Sequence, residues 1–318
     1  ADVLTAISQL APEERNEIEW NYWASRALAM TGNSDLAFEG FRKVAESNSW
    51  YGFLAADYLG IAYNLAPKTK RPPETLIAKV NDRTDVTVAR LLFEEGLTVM
   101  ARRQWNFVTG RLDEEEQKAA AVLANRWNWH SRSAVTAHQS GLTDDYELRY
   151  PRAFEKPLKN AAKRHAISLS LLSGLMRSER LFMHDIRSPA GALGLMQVMP
   201  RTGRQTAKEL NLRWRGNNTL INPSTNIRIG SYYLAKQLER FGHPALATAA
   251  YNAGPHRVKQ WMPDESMPLD AWVASIPFTE TRNYVQRVLS AQVIYEWRYN
   301  GAITRLESVA ASQISKKE

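Results

Sequence analysis

The chain has 318 residues, enough for two or three compact units rather than one core. No run of about 18 apolar residues occurs, which argues against a membrane-spanning helix. The absence of cysteine excludes disulfides, thiolate metal ligands and cysteine nucleophiles. Lysine and arginine number 41 against 33 aspartate and glutamate residues, so the surface is basic. This charge suits a polyanionic partner or simply keeps the protein in solution.

Residues 1–65 have the periodicity of helical hairpins. Trp20, Trp23 and Ala27 recur at helical spacing, and Gly32 lies in the break before the next helix. Large aromatic residues against alanines across a short turn resemble a tetratricopeptide-type repeat, and a plain helical bundle is the alternative. The sequence begins without the pattern of a signal peptide, as expected for a mature N terminus or a truncation.

Residues 66–149 are predicted to form a helical linker domain. The polar, proline-rich segment 66–73 breaks the chain, and helical periodicity resumes from residue 84. Asp113 is expected to begin a helix with acidic residues in its first turn. His130 and His138 lie eight residues apart with no carboxylate between them, so we expect no metal site there.

The rest of the chain, residues 150–318, is also predicted to be helical. Ser168 can cap one helix, and Asn222 followed by Pro223 can start another. No convincing alternating strand occurs, so the predicted fold is all-α with at most a small strand pair. The tail after Thr304 is expected to fray.

Four segments of this last part belong together: Ser173–Glu179, Arg187–Pro200, Ala250–Gly254 and Ile276–Tyr284. In this order and spacing they resemble the catalytic domain of the soluble lytic transglycosylases, a family with a lysozyme-like fold. The preceding helices also resemble that family, whose large members join a helical superdomain, a linker domain and a catalytic domain. The resemblance implies the end of a superhelical domain at 1–65, a linker domain at 66–149 and a lysozyme-like catalytic domain at 150–318.

Glu179 is the candidate catalytic residue. It closes an otherwise apolar helix, and a carboxyl group in an apolar cleft keeps its proton to higher pH, as a general acid requires. The alternative is a helix-end glutamate paired with Arg177 or Arg180. No second carboxylate is well placed, and Asp185 has no catalytic role in the resemblance. Arg180 departs from the family, which usually has serine directly after the catalytic glutamate.

The resemblance implies a lyase acting on peptidoglycan in the periplasm. A single glutamate, here Glu179, protonates the leaving oxygen of the MurNAc-GlcNAc bond and then deprotonates the 6-hydroxyl of the same MurNAc. That hydroxyl closes on C1 and leaves a 1,6-anhydro end without consuming water. Intramolecular attack has a high effective concentration, so one carboxylate suffices. No cofactor is implied, and cell-wall enzymes are possible partners of the helical region.

The resemblance also implies a set of substrate-binding residues: Ser188, Gln197, Met199, Tyr251, Asn252 and Glu280. Gly191 and Gly194 are expected either to allow close approach of a glycan or to serve as ordinary turn glycines. Glu280 is expected in the same cleft, held by hydrogen bonds or by an arginine such as Arg282.

Three other functions are alternatives to the lyase. A hydrolase of the same fold is disfavoured only by the missing second carboxylate. A non-catalytic glycan-binding scaffold would not require an acid such as Glu179. A nucleic-acid-binding role rests on net charge alone, without a binding motif.

Overall fold

The structure is a computed structural model and describes residues 2–310 and 313–315. Nearly all of its regular structure is helical, which confirms the all-α prediction. The chain divides into two compact units: residues 1–65 with 236–318 form the first unit, and residues 66–235 form the second unit. The predicted division into three domains, with boundaries after residues 65 and 149, stays a prediction.

The first unit begins with five helices: α1 (Asp2–Ser8), α2 (Pro12–Arg15), α3 (Ile18–Met30), α4 (Ser34–Val44) and α5 (Trp50–Leu59). Helix α5 begins where the Ser49 side chain accepts a hydrogen bond from the backbone of Gly52. It ends at Gly60, whose φ of 68° lies in the left-handed region that glycine favours. The rings of Tyr22 and Phe41 meet edge to face with centroids 5.6 Å apart, which packs α3 on α4.

The second unit begins with six helices: α6 (Glu74–Asn81), α7 (Thr84–Glu94), α8 (Thr98–Thr109), α9 (Glu114–Arg126), α10 (His130–Gln139) and α11 (Tyr146–Arg149). Asp113 caps α9 by accepting from the backbone of Glu116, which confirms the predicted helix start. The proline-rich segment before α6 has no regular structure. It is nevertheless fixed, because Asp144 accepts hydrogen bonds from the backbone of Lys68 and Thr69.

The remaining part of the second unit contains α12 (Glu155–His165), α13 (Leu169–Arg180), α14 (Pro200–Glu209) and a 3₁₀ turn at Asn217–Leu220. Helix α15 (Pro223–Phe241) begins in this unit, and its residues 236–241 belong to the first unit. Ser168 caps α13 by accepting from the backbone of Leu171. Asn222 likewise accepts from the backbone of Thr225 at the start of α15. Both predicted helix starts are confirmed, because the capping residue satisfies backbone donors that the helix leaves unpaired.

The first unit is completed by α16 (Pro244–Ala253), α17 (Pro255–Trp261), α18 (Leu269–Ser275), α19 (Thr279–Asn300) and α20 (Leu306–Ala310). Two short antiparallel strands, β1 (Met267–Pro268) and β2 (Gln313–Ile314), accompany them. The expected fraying after Thr304 is wrong for the described tail, because Leu306, Ala310 and Ile314 are fully buried. Residues 316–318 of that tail lie outside the described residues.

A buried polar network joins the two chain segments of the first unit. Asp270 on α18 accepts hydrogen bonds from the Tyr22 hydroxyl at 2.7 Å and from two nitrogens of Arg26 at 2.7 and 2.9 Å. Burial raises the pKa of Asp270, but the hydrogen bonds from Arg26 and Tyr22 outweigh it and hold that pKa below its usual range. The carboxylate therefore stays ionised and ties α3 to α18.

Membrane-spanning helices and metal-binding clusters of side chains are both absent from the described residues. None of the described helices is long and apolar enough to cross a membrane. Within residues 2–310 and 313–315, no group of three or more histidine, cysteine, aspartate or glutamate side chains is arranged to hold a metal ion. His138 is exposed, whereas His130 at the start of α10 is half-buried, with its Nδ1 atom buried.

The environment of His130 makes the second unit sensitive to pH. Its ring packs edge-on against Phe182, with centroids 6.3 Å apart, and its Nδ1 has no hydrogen-bond partner among the described residues. Burial lowers the pKa of His130 from 6.5 to about 4. The unfolded chain therefore binds more protons than the folded chain between these values. The contribution of the neutral His130 ring to the free energy of unfolding is fully present above pH 6.5 and is lost as the pH falls toward 4.

We expect His130→Phe to flatten this pH dependence, because phenylalanine keeps an aromatic ring and cannot be protonated. In the parent, protonation of the unfolded chain costs on the order of 2 kcal/mol of stability by pH 5. The measurement is the difference in thermal midpoint between pH 7 and pH 5. His138→Phe, on the exposed side of the same helix, is the matched control. An unchanged slope in His130→Phe would assign the acid sensitivity to other groups.

Candidate active site

Glu179 lies one residue before the end of α13. The helix is anchored by a face of fully buried side chains that includes Leu172, Leu175 and Met176. Glu179 itself is half-buried, whereas its neighbour Arg180 is exposed. Successive helical residues point in different directions, so the cation that departs from the family pattern lies on the solvent side of the helix.

The backbone turns sharply directly after this helix. Leu181 and Phe182 have φ values of 46° and 68°, two consecutive residues in the left-handed region without being glycine. Such a conformation costs on the order of 1–3 kcal/mol per residue and persists only where surrounding contacts hold it. The buried Phe182 side chain supplies one such contact. The exit from the helix that carries Glu179 is therefore fixed by tertiary packing.

Asp185 supplies a second anchor for this turn. Its carboxylate accepts hydrogen bonds from the Thr98 hydroxyl at 2.6 Å and from both terminal nitrogens of Arg102 at 2.9 Å. Burial raises the pKa of Asp185, but these bonds outweigh it and lower that pKa below its usual value. Asp185 is thus a paired anion that ties the segment after Glu179 to α8.

Arg177, one of the two cations considered as a partner for Glu179, has other contacts. Its Nε donates to the backbone oxygen of Arg149 at 2.8 Å. Its guanidinium lies 3.7 Å from the centre of the Tyr150 ring, at cation–π distance. The head group of Arg177 therefore serves to hold α13 against the segment that precedes α12.

Residues 186–199, here called the cleft loop, follow this turn. Backbone hydrogen bonds within the loop make it compact. Leu193 and Val198 exchange two backbone hydrogen bonds at 3.0 and 3.1 Å, and the Gly194 amide donates to the oxygen of Ile186. The side chains of Leu195 and Met196 are fully buried beneath it. The loop is therefore a rigid element, on which side chains are held in fixed positions.

Asn226 on α15, which the sequence reasoning missed, holds the cleft loop from below. Its Oδ1 accepts from the Met196 amide at 2.7 Å, and its Nδ2 donates to the oxygens of Leu193 and Leu220, each at 2.9 Å. The residue is fully buried. The sequence offers one signal for this role: Asn226 is a polar residue in the first turn of α15, on a helix face otherwise occupied by apolar side chains.

Close packing of Gly194 against Leu220 and Asn226, rather than close approach of a glycan, requires glycine at this position. It has a φ of 77°, and a Cβ there would lie 2.2 Å from the oxygen of Leu220 and 2.4 Å from Nδ2 of Asn226. The close approach expected at this glycine is therefore made by the protein itself. At Gly191, which has a φ of 94°, a Cβ would meet only the Arg187 side chain, so turn geometry accounts for it.

Three predicted binding residues lie on the cleft loop. Ser188 Oγ accepts from the Ala192 amide at 2.9 Å, which leaves its proton able to donate. Gln197 donates from Nε2 to the oxygens of Gly194 and Ile186, while its buried Oε1 has no hydrogen-bond partner among the described residues. Met199, at the end of the loop, is 43% exposed.

The other three lie in the first unit. Tyr251 and Asn252 are half-buried near the end of α16. Oδ1 of Asn252 accepts from the Thr281 hydroxyl at 2.7 Å, a bond that ties α16 to α19. Glu280, the neighbour of Thr281 in the first turn of α19, is exposed.

An ion pair with Arg282 is one of the two ways in which Glu280 is expected to be held, and Arg282 makes other contacts instead. Arg282 Nη1 donates to the backbone oxygen of Ile276 at 3.0 Å, and its Nη2 donates to the Thr279 hydroxyl at 3.3 Å. No ion pair joins it to Glu280 within the described part of the chain. The guanidinium instead satisfies a carbonyl left unpaired after α18, as basic side chains do near helix C termini.

Three family models match the chain. The Transglycosylase SLT domain matches residues 156–269, the Soluble lytic murein transglycosylase L domain matches residues 79–145, and the Soluble lytic transglycosylase helical domain matches residues 275–302. The matched segments include α13, the cleft loop and α16. Fold and sequence together define the class as proteins that combine a transglycosylase domain with helical domains.

Relatives narrow this class. The soluble lytic murein transglycosylase of Salmonella typhimurium is 33% identical over 92% of this chain and 45% of its own length. An inactive glutamate-to-glutamine mutant of the lytic transglycosylase Slt from Pseudomonas aeruginosa matches 97% of this chain and 51% of its own, with 33% identity and a TM-score of 0.88. The 70 kDa soluble lytic transglycosylase of Escherichia coli matches 99% of this chain and 51% of its own, with 28% identity and a TM-score of 0.89.

The chain therefore spans about half the length of the relatives it matches. It belongs to the soluble lytic transglycosylase family.

Proposed function

We propose that this chain carries the activity of a lytic transglycosylase that cleaves the MurNAc-GlcNAc bond of peptidoglycan, with Glu179 as its catalytic acid and base. The observation that carries the proposal is the position of Glu179. It is half-buried at the end of an apolar helix whose exit is fixed by Phe182 and Asp185. The lytic transglycosylase Slt of Pseudomonas aeruginosa supports an essential glutamate, because a glutamate-to-glutamine mutant of that enzyme is inactive.

In the proposed reaction, protonated Glu179 donates its proton to the glycosidic oxygen as the C1–O bond breaks. The resulting carboxylate then takes the proton of the 6-hydroxyl on the same MurNAc, while O6 forms a bond to C1. The products are a free 4-hydroxyl on GlcNAc and a 1,6-anhydro ring on MurNAc. Water is not consumed and Glu179 ends protonated, ready for another cycle.

The cleft loop is proposed to bind the sugars. The unpaired Oε1 of Gln197 is a buried acceptor and suits an N–H donor, such as the amide of an acetamido group. Ser188 can donate from its hydroxyl, and the exposed Met199 offers apolar contact. Tyr251 and Asn252 are proposed to bind the reacting sugar, and the exposed Glu280 is proposed as a further substrate contact.

Mass spectrometry of digested peptidoglycan tests the reaction, because an anhydro product is lighter than the hydrolysed one by one water. We expect anhydro ends from the parent, and the same product at a lower rate from Glu280→Gln, since Glu280 is proposed only to bind. Reducing ends from the parent would favour the alternative hydrolase. Binding without any cleavage would favour the glycan-binding scaffold.

The substrate also bears on location and partners. Because peptidoglycan lies outside the inner membrane in bacteria with a periplasm, we propose a periplasmic protein. No cofactor is required by the proposed reaction. Association with other cell-wall enzymes through the helical region stays a prediction, and nucleic acid is not proposed as a partner.

A further inference from the structure

Residues 181–185, here called the exit segment, follow the helix that carries Glu179 and border a cavity. This cavity of the second unit has a volume of about 290 Å³, and four residues of the exit segment line part of it: Phe182, Met183, His184 and Asp185. Side chains that border a cavity have fewer packed neighbours than those inside a core. Because Leu181 and Phe182 also hold left-handed conformations, the exit segment needs contacts beyond apolar packing to keep its path.

Two guanidinium groups from earlier helices contact the exit segment. Arg102 on α8 donates from both terminal nitrogens to the carboxylate of Asp185, each at 2.9 Å. Arg132 on α10 donates from Nη2 to Sδ of Met183 at 3.9 Å, a weak acceptor. Nη1 of Arg132 donates to Oδ1 of Asn106 on α8 at 3.2 Å. Arg132 therefore links α8 to the exit segment, two residues before the position that Arg102 holds.

Arg132 is a buried cation without a carboxylate partner. It is only 8% exposed, and its Nε has no hydrogen-bond partner among the described residues. Burial, and then the charge of Arg102, lowers the pKa of Arg132. The nearby carboxylate of Asp185 is already paired with Arg102. Arg132 thus carries a charge that burial disfavours, and no ion pair within the described part of the chain offsets that cost.

Loss of the Arg132 side chain would leave few groups unsatisfied. Asp185 would keep its hydrogen bonds from Arg102 and Thr98. Asn106 is exposed, so its Oδ1 can accept from water instead. Replacing buried charges by apolar side chains of similar volume is often neutral or stabilising, provided that no partner is left unpaired. The cost of keeping Arg132 buried therefore points to a role in activity rather than in folding.

We propose that Arg132 is a positioning residue for Glu179: it fixes the exit segment through Met183 and thereby holds the Glu179 carboxyl group in place for proton transfer. This inference rests on the proposed function of Glu179. Arg102 holds the same segment at Asp185, so the two arginines act on neighbouring parts of it. Small displacements matter at such a site, because a shift of about 1 Å in a reacting group can cost about a hundredfold in rate.

Replacing Arg132 with methionine tests the proposal, because methionine is unbranched and apolar and has neither charge nor donors. We expect kcat for strand cleavage to fall about tenfold with KM nearly unchanged, since the proposed role concerns the position of Glu179 and not the binding of sugars. The thermal midpoint should not fall. Arg103→Met removes an exposed arginine of α8 and is the matched control, which should keep the parent's kcat.

Each readout of Arg132→Met can contradict the proposal. A lower thermal midpoint or a failure to fold would assign Arg132 a structural role and overturn it. An unchanged kcat, or an equal loss in Arg103→Met, would overturn it as well, because the effect would then be absent or a general consequence of lost charge.

Two further variants test the path from Arg132 to the exit segment. Arg132→Lys keeps the charge but has a single ammonium group in place of the planar fork, so its kcat should lie between those of the parent and Arg132→Met. Met183→Leu keeps the volume and removes the sulfur. Arg132→Met should lower kcat by a smaller factor in the Met183→Leu background than in the parent. Equal factors in both backgrounds, or no rescue by lysine, would overturn the proposal.

Hydrogen exchange follows the exit segment without catalysis. The amides of Leu181 and Met183 donate to backbone oxygens in the last turn of α13, at 3.2 and 3.1 Å. We expect both amides to exchange about tenfold faster in Arg132→Met and at the parent rate in Arg103→Met. Parent-like exchange in Arg132→Met would overturn the proposal. Failure of the lyase reaction alone would show in the product mass and would leave this measurement unchanged.

Discussion

Replacing Glu179 with glutamine is expected to lower the rate of strand cleavage by about ten-thousandfold or more. Glutamine keeps the size and hydrogen-bonding capacity of the side chain but cannot donate the proton to the glycosidic oxygen or accept the proton of the 6-hydroxyl. Both proton transfers of the proposed reaction are therefore lost, and each such transfer typically contributes 10²–10⁴-fold. The measurement is the rate at which soluble anhydro fragments are released from purified peptidoglycan.

The control for this variant is Glu209→Gln, an exposed glutamate at the end of α14 in the same unit. It should cleave at the parent rate. Circular dichroism and co-sedimentation with peptidoglycan should be nearly unchanged for Glu179→Gln, which separates loss of chemistry from loss of folding or binding. Substantial turnover by Glu179→Gln would mean that another residue is the acid.

Replacing Asn226 with leucine is expected to destabilise the second unit by on the order of 3–5 kcal/mol and to abolish activity. The change removes three buried hydrogen bonds. The Leu193 oxygen keeps its bond from the Val198 amide, whereas the bonds that Asn226 makes to the Met196 amide and to the Leu220 oxygen are lost. Each unsatisfied buried group costs about 1–3 kcal/mol. The cleft loop, with Gln197, then loses its support. Urea unfolding tests the expected loss of stability, and the cleavage rate of the same preparation tests the expected loss of activity.

A milder variant keeps this prediction testable if leucine prevents folding. Asn226→Asp retains an acceptor for the Met196 amide but cannot donate to Leu193 or Leu220, and we expect it to fold with reduced stability and a lower cleavage rate. Asn218→Leu, at an exposed position in the 3₁₀ turn, is the control. Parent-like activity in Asn226→Asp would show that the two donated bonds do not hold the loop.

Local features of the fold could be predicted from the sequence. The starts of α9, α13 and α15 depend on a capping residue within three positions of the amide it accepts, so Asp113, Ser168 and Asn222 were enough to predict them. The pairing of Asp270 with Tyr22 and Arg26 joins residues more than 240 positions apart. No local pattern encodes such a contact. The prediction that the described tail frays failed for the same reason, because burial of Leu306 and Ile314 depends on distant partners.

The candidate site likewise has parts that the sequence predicts and parts that it does not predict. Glu179 was found from the four segments in which it stands, and its half-buried position on an apolar helix follows from the spacing of its neighbours. The role of Asn226 could not be deduced, because it depends on a loop thirty residues earlier in the chain. Proximity in sequence makes Arg282 a candidate partner for Glu280, whereas its geometry favours the carbonyl oxygen of Ile276. Charge alone does not determine which acceptor a guanidinium reaches.

The division of the first unit between the two ends of the chain has a consequence for biosynthesis. Residues 66–235 form a continuous segment, so the second unit can collapse as soon as it leaves the ribosome. Residues 1–65 are synthesised before this segment but must wait for residues 236–318, because Asp270 and Arg305 are needed to complete the contacts of Arg26 and Asp57. Contacts of such long sequence separation form slowly. The helices of residues 1–65 thus stay without these partners while 170 further residues are synthesised, and chaperone protection during that interval is of most use to them.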